Sequence, residues 1–146
     1  MTRFRPAEAE DVPHVVNLLR DDVLGRDREG SDPAHYITVF NDLQDEPNNH
    51  LIVGETQDGR IVATYQITYI SGLSLGGSRR AQVESVRVAS ALRGRGIGAE
   101  MVSDMRDRAA GCGLLQLTMN STRSDTHRFY LAQGFVASHT GFKLTL

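Results

Sequence analysis

Apolar residues recur in this chain with a period that switches several times, and each switch marks a new element. Thr2 to Arg5 is a short extended stretch closed by Pro6. Between Ala9 and Asp21, Val12, Val15, Val16 and Leu19 stand three and four apart. Glu8, Glu10 and Asp11 sit early, where the positive end of a helix dipole favours acid, so the stretch predicts an amphipathic helix. Asp22 to Asp32 is polar, carries Gly25 and Gly30, and reads as a mobile loop. Pro33 opens a second helix through about Asp45 with Tyr36, Val39, Phe40 and Leu43 as its apolar stripe, and Pro47-Asn48-Asn49 ends it.

From His50 the period drops to two. Leu51-Ile52-Val53 and the segment Arg60 to Ile70 flank Asp58-Gly59, a strong hairpin signal. A longer connection, Ser71 to Ser78, leads into a strand from Arg79 to Val88, and its length suits the rim of a binding site. After a glycine-rich turn, Ile97, Met101, Met105 and Ala109 fall four apart and mark a helix ending at Gly111 or Gly113. Leu114 to Met119 reads as a strand, Thr126 to Gln133 as a helix, and Gly134-Phe135 turns the chain into a final pair of short strands ending at Leu146. This order predicts an α+β fold in one domain over residues 1–146: a mixed, mostly antiparallel sheet with helices on both faces.

Composition narrows the function classes. The 146 residues are 40% hydrophobic and 23% charged, with a net charge of -2, which speaks against a broad nucleic-acid-binding face. No apolar run approaches the ~18 residues of a membrane span, and the first residues lack a signal peptide's apolar segment, so a cytoplasmic protein with no membrane partner is expected. The lone Cys112 reads as packing filler and forms no internal disulfide, and no Cys/His spacing suggests a metal site. Lys143 is the only lysine, so neither P-loop nor Schiff-base chemistry has its lysine near the glycine turn.

That turn carries the most chemistry. The strand through Val83 to Val88 runs into Arg93-Gly94-Arg95-Gly96-Ile97-Gly98 and then directly into a helix. A helix start leaves backbone N–H groups unpaired in a positive field, and glycines let a phosphate approach them, so a phosphorylated cofactor is expected here. The same residues satisfy the loose dinucleotide fingerprint G-x-G-x-x-A. The carboxylate that should follow roughly 20 residues on is absent from Leu114 to Asn120, which disfavours a nicotinamide enzyme.

Arg93-x-x-Gly96-x-Gly98 after Val86-Arg87-Val88 resembles the acyl-CoA signature of the GCN5-related N-acetyltransferase (GNAT) family, and Thr126 to Phe135 is similar to that family's penultimate helix. The resemblance implies the GNAT acyl-CoA N-acyltransferase fold, with acetyl-CoA as cosubstrate and no metal. It implies that the backbone of Val86, Arg87 and Val88 pairs with the pantetheine arm, with one N–H near Val88 on the acetyl carbonyl. The amides of Arg93, Gly94, Arg95, Gly96, Ile97 and Gly98 would cradle the pyrophosphate, and Tyr130 would protonate the leaving thiolate. Where many relatives carry Asn seven residues before the tyrosine, this chain has Arg123, and either it or Asn120 contacts the pantetheine arm. His127, one turn before Tyr130, touches the cofactor or acts as a solvated or capping histidine. The tail from Ala137 to Gly141, with His139, and Thr126 to Leu131 resemble an aminoalkylphosphonate acetyltransferase subgroup.

Attack on a thioester needs a neutral amine, and an amine of pKa roughly 10 is mostly protonated at neutral pH, so a base is required. Glu84 is the candidate, because simple alternation puts it on the face shared by Val86 and Val88; the other reading pairs it structurally with Arg79 or Arg80. The expected activity is transfer of acetyl to a small-molecule primary amine by direct attack. A non-catalytic acyl-CoA sensor or interaction domain, or a protein N-terminal or lysine acetyltransferase, are the alternatives. For the acceptor, Asp21, Asp22, Asp27, Glu29 and Asp32 suit a cationic amine, whereas Arg79 and Arg80 suit a carboxylate or phosphonate. The family resemblance also raises a homodimer.

Overall fold

The Asp58-Gly59 turn folds the middle of the chain into a hairpin, as its sequence demands. Gly59 takes φ +81°, and the Thr56 amide closes the turn on the Arg60 carbonyl at 2.9 Å. The computed structural model describes residues 1–146, the side chain of Val23 excepted. The elements are β1 (Arg3–Pro6), α1 (Val12–Arg20), α2 (Val23–Arg28), α3 (Pro33–Gln44), β2 (Asn49–Glu55), β3 (Ile61–Ile70), a one-turn α4 (Ser74–Gly77), β4 (Arg80–Val88), α5 (Ile97–Arg108), β5 (Leu114–Leu117) and α6 (Ser124–Ala132). The chain divides into two compact units, Met1–Gln116 and Leu117–Leu146.

The sheet is mixed and five-stranded, in the order β1-β2-β3-β4-β5, and the first three pairings are antiparallel. Register sorts its side chains. Ile52 stands opposite Tyr65 and Ile67 opposite Val83, so these residues share one face, and each is at most 1% exposed. α5 covers that face with Met101, Val102 and Met105, all buried. Each such side chain contributes roughly 1.5–3 kcal/mol by leaving water. A polar clamp fixes the helix to the sheet. The Tyr65 hydroxyl donates to Asp104 Oδ2 at 2.5 Å, Arg108 Nε donates to the same oxygen at 2.8 Å, and the Tyr69 hydroxyl donates to the Arg108 carbonyl at 2.8 Å. Burial, and then the bond to Asp104, push the Tyr65 phenol well above its ordinary pKa, so it stays a donor.

The opposite face holds Leu51 and Val53. Against Val53 pack Val12, Val15 and Val16 of α1 and Phe40 of α3, with Leu51, Leu19, Tyr36 and Ile37 at the margin. Ile37 takes the place expected for Val39, which is exposed. Asp32 caps α3 by accepting the Ala34 amide at 3.1 Å, with Pro33 at the first position.

Two expectations fail. The polar stretch Asp22 to Asp32 is no open loop, for it contains α2, whose Gly25 is buried against the end of α1. A Cβ on Gly25 would stand 1.7 Å from the Leu19 carbonyl oxygen, so this glycine is a packing requirement and not a flexible joint. The closing pair of strands is also absent: residues 135–146 form no helix or strand, and Phe142 and Leu144 are 93% and 85% exposed. Their alternation is real, but short strands need a ladder partner to be stable, and these residues have none here.

In the second unit, Asn120 Oδ1 accepts from the Thr122 amide and hydroxyl, which turns the chain into α6. Tyr130 is buried between Phe129 and Phe135, with ring centroids 5.2 and 5.4 Å away. Gly134, at φ +90°, ends the helix, and the Phe135 amide returns to the Tyr130 carbonyl.

Candidate active site

The site is built where β4 loses its regular pairing. Ala63 stands opposite Val88 and Thr64 opposite Arg87, but the next pair is Gln66 with Glu84. One residue of β3, Tyr65, therefore faces two of β4, Ser85 and Val86. This is a β-bulge, and Ser85 takes φ +53°, a left-handed conformation that costs a non-glycine residue of order 1–2 kcal/mol. A bulge leaves its extra residue outside the ladder, with backbone groups open to a ligand.

The bulge also corrects the expected placement of Glu84. Simple alternation put Glu84 with Val86 and Val88. Across the bulge the parity flips, so Val83 and Val88 share the α5 face, whereas Arg80, Gln82, Glu84 and Arg87 share the face of Leu51, Val53, Thr64 and Gln66, on which α1 and α3 pack. The signal lay in the sequence: Glu84 and Ser85 are two consecutive polar residues between Val83 and Val86, where strict alternation allows one. Glu84 is exposed, and it forms no ion pair with Arg79 or Arg80 among the described residues.

Beyond Val88 the chain makes a 3-10 turn, Ser90–Leu92, and enters the glycine loop. Gly94 and Gly96 take φ +76° and +87°, and a Cβ on either would meet nothing within 4 Å. Glycine is needed there for backbone angle, and the space above the loop is open. Gly96 caps α5, and its carbonyl accepts the Ala99 and Glu100 amides. The preceding Ile97 and Gly98 amides have no carbonyl one turn earlier in the helix and point into the dipole's positive end. This is the arrangement a pyrophosphate requires. A cleft of about 560 Å³ adjoins it, lined by Leu92, Arg95, Ile97 and Glu100 together with Asp58 and Arg60 of the β2–β3 turn.

The loop is tied to the end of α1 in a way that no local pattern announces. Asp21 Oδ2 accepts the Ser90 amide at 2.7 Å and Oδ1 accepts the Ser90 hydroxyl at 2.8 Å. The Arg93 side chain donates to the Asp21 carbonyl at 3.1 Å and to the Val88 carbonyl at 3.3 Å. The bonds from the Ser90 amide and hydroxyl hold the Asp21 carboxyl below the usual carboxylate range. Beside it, Asp22 pairs with Arg87 at 3.3 Å, with both side chains largely buried. The acidic group expected to attract a cationic acceptor is thus mostly satisfied within the chain. Asp21 and Asp22 hold the glycine loop and β4, Glu29 accepts from Tyr36 at 3.0 Å, and Asp32 caps α3, which leaves Asp27. Arg79 is likewise engaged, donating to Asn48 at 2.9 Å and lying 5.1 Å from the Tyr69 ring centroid.

Tyr130, His127 and Asn120 all lie in the second unit. Tyr130 is 8% exposed, His127 and Asn120 are exposed, and the Asn120 side chain is occupied in its turn with Thr122. Among the described residues no three His, Cys, Asp or Glu side chains cluster to hold a metal ion, and no helix is long and apolar enough to cross a membrane.

Comparison with known proteins bears on this geometry. The model of the acetyltransferase (GNAT) family matches residues 14–135. The chain belongs to the GNAT family. A crystal structure of a transcriptional regulator from Bacillus halodurans C-125 is 39% identical over the whole of both chains, with a TM-score of 0.90. The glucosamine-6-phosphate N-acetyltransferase of Arabidopsis thaliana shares the GNAT fold at 20% identity and a TM-score of 0.78, over 100% of this chain and 97% of its own. Among curated proteins, the aminoalkylphosphonate N-acetyltransferase of Salmonella typhimurium is 34% identical over 67 residues. That match spans 44% of each chain, less than half the length of the Salmonella protein, and agrees with the GNAT subgroup to which the tail is similar.

Proposed function

We propose that this GNAT protein moves acetyl from acetyl-CoA to the primary amine of a small molecule by direct attack. The observation that carries the reading is a bulged strand leading through one 3-10 turn into a left-handed glycine loop at a helix start, all within one family match. Acetyl-CoA supplies an acetyl group activated as a thioester. In this reading the Arg93 to Gly98 amides hold its pyrophosphate, and the Val86 to Val88 backbone pairs with its pantetheine arm. Glu84 removes a proton from the acceptor ammonium, and the freed nitrogen forms the amide C–N bond as the C–S bond breaks. Tyr130 gives its phenolic proton to the departing thiolate, and the second proton shed by the nitrogen as the amide forms returns the phenolate to phenol. The Salmonella relative, an N-acetyltransferase of aminoalkylphosphonates by name, supports a small amine as acceptor.

Steady-state kinetics on two variants test these roles. Tyr130→Phe is expected to lower kcat about tenfold or more while leaving the KM for acetyl-CoA nearly unchanged. Glu84→Gln is expected to lose rate at neutral pH and recover part of it at high pH, where the amine loses its proton unaided. Equal turnover in Tyr130→Phe removes the acid role, and a pH profile identical to the parent's removes the base role.

A second reading, an acyl-CoA-responsive regulator, draws on the Bacillus relative described as a transcriptional regulator. Such a protein binds acetyl-CoA and acetylates no amine, so a broad acceptor screen separates the two readings.

A further inference from the structure

Arg80 Nε is buried without a hydrogen-bond partner, as is Arg87 Nε, but Arg87 is paired with Asp22 at 3.3 Å, whereas Arg80 pairs with no carboxylate among the described residues. Its neighbour Arg79 is held by Asn48 and Tyr69, and Arg93 by two carbonyls. A buried guanidinium nitrogen left unsatisfied is costly, and such a group in a folded protein calls for a partner that arrives from outside.

Its position says which partner. The register runs unbroken from Arg80 opposite Ile70 to Glu84 opposite Gln66, so Arg80, Gln82 and Glu84 project from one face. Between the two charged residues lie only neutral hydrogen-bonding groups. Gln66 and Thr68 both donate to Asn49 Oδ1 at 2.9 Å, and Gln116 donates to Gln82 at 2.8 Å. The strip therefore carries one negative end, one positive end and an uncharged floor. Four strand residues separate the ends by about 13 Å between Cα atoms, and two long side chains cover most of that span. Gly72 lies beside the Arg80 guanidinium, where an added Cβ would stand 3.9 Å from Nη1, in van der Waals contact.

We infer that Arg80 is a specificity-determining residue that binds an oxyanion on the acceptor, a carboxylate, phosphate or phosphonate a few bonds from the amine that Glu84 deprotonates. The acceptor class is then a short amine with an anionic end. This rests on the acetyltransferase reading and adds to it a residue and a charge requirement.

The test compares kcat/KM for 2-aminoethylphosphonate, O-phosphoethanolamine and β-alanine with that for ethanolamine and putrescine, in the parent, Arg80→Ala and Arg80→Lys. Acetyl-CoA affinity by calorimetry and the thermal midpoint are recorded for each. The parent is expected to prefer at least one anionic amine over ethanolamine by tenfold or more, and the three anions distinguish carboxylate from phosphate and phosphonate. Arg80→Ala is expected to reduce that ratio ten- to hundredfold with acetyl-CoA affinity retained, and Arg80→Lys to keep part of it, since lysine preserves charge but not the planar fork. If Arg80→Ala unfolds, the Arg80→Lys ratio decides, and a ratio equal to the parent's overturns the proposal. Turnover in which ethanolamine or putrescine matches the anionic amines overturns the role of Arg80 and leaves the acetyltransferase reading standing. Acetyl-CoA binding with no amine acetylated, or no binding at all, overturns both.

Discussion

Replacing Asp21 by Asn changes one atom in the joint between α1 and the glycine loop and reads out how much that joint prepares the loop for the proposed cofactor. The carboxylate accepts two bonds from Ser90, at 2.7 and 2.8 Å. Asn keeps one acceptor but turns an NH₂ toward the second Ser90 donor, so one charge-assisted bond is lost and the other weakened. A hydrogen bond to a charged group contributes about 1.5–3 kcal/mol, and exposure to solvent at this joint reduces the loss to roughly 1 kcal/mol. If the loop must be re-ordered when acetyl-CoA binds, that loss appears as about fivefold weaker binding. Calorimetric titration of acetyl-CoA into the parent, Asp21→Asn, Ser90→Ala and the double variant measures it, and the double variant should bind no more weakly than Asp21→Asn alone. The pH dependence has a fixed sign. Asp21 has a lowered pKa in the fold, so its contribution is present above the ordinary carboxylate pKa near ~4 and fades only as pH falls through its lowered value. The deficit of Asp21→Asn should therefore be constant from pH 6 to 8. Unchanged affinity in Asp21→Asn, or independent additive losses at Asp21 and Ser90, would refute the coupling.

Other outcomes follow from the packing. Gly25→Ala forces a Cβ to within 1.7 Å of the Leu19 carbonyl oxygen, so α2 must shift or detach, at a cost of about 2–4 kcal/mol in urea unfolding; a midpoint equal to the parent's would contradict this. Tyr65→Phe removes one donor from Asp104 and leaves Arg108 in place, so a loss of about 1–2 kcal/mol and a Tm lower by roughly 3–6 °C is expected. A rise in Tm would show that Tyr65 and Asp104 do not hold α5 to the sheet.

Most elements were legible in the sequence because their residues repeat with the period of the element they form. Val12, Val15 and Val16 gave α1, Asp58-Gly59 gave the hairpin, and Met101 and Met105 marked α5. Gly96 announced its role because only a residue tolerating φ +87° can cap the helix there. What escaped reading was set by contacts between distant segments. Asp21 and Ser90 are 69 positions apart, and nothing local to either predicts the bond. α2 carries too few apolar residues to show a stripe, and its helix is held by the close fit of Gly25 on α1. Phe142, Leu144 and Leu146 alternate as a strand should, yet alternation supplies no ladder partner. The face of Glu84 was misread for another reason. One extra residue at the Ser85–Val86 bulge reverses parity, and the two consecutive polar residues that record it look ordinary until the register is known.

Everything proposed for this protein depends on the glycine loop receiving acetyl-CoA. Isothermal titration of acetyl-CoA into the purified chain addresses that dependence directly. Saturable one-to-one binding, lost or greatly weakened when Gly96→Val places a branched side chain at φ +87° over the loop, is the result expected. Absence of binding by the parent protein, or undiminished binding by folded Gly96→Val, would contradict it.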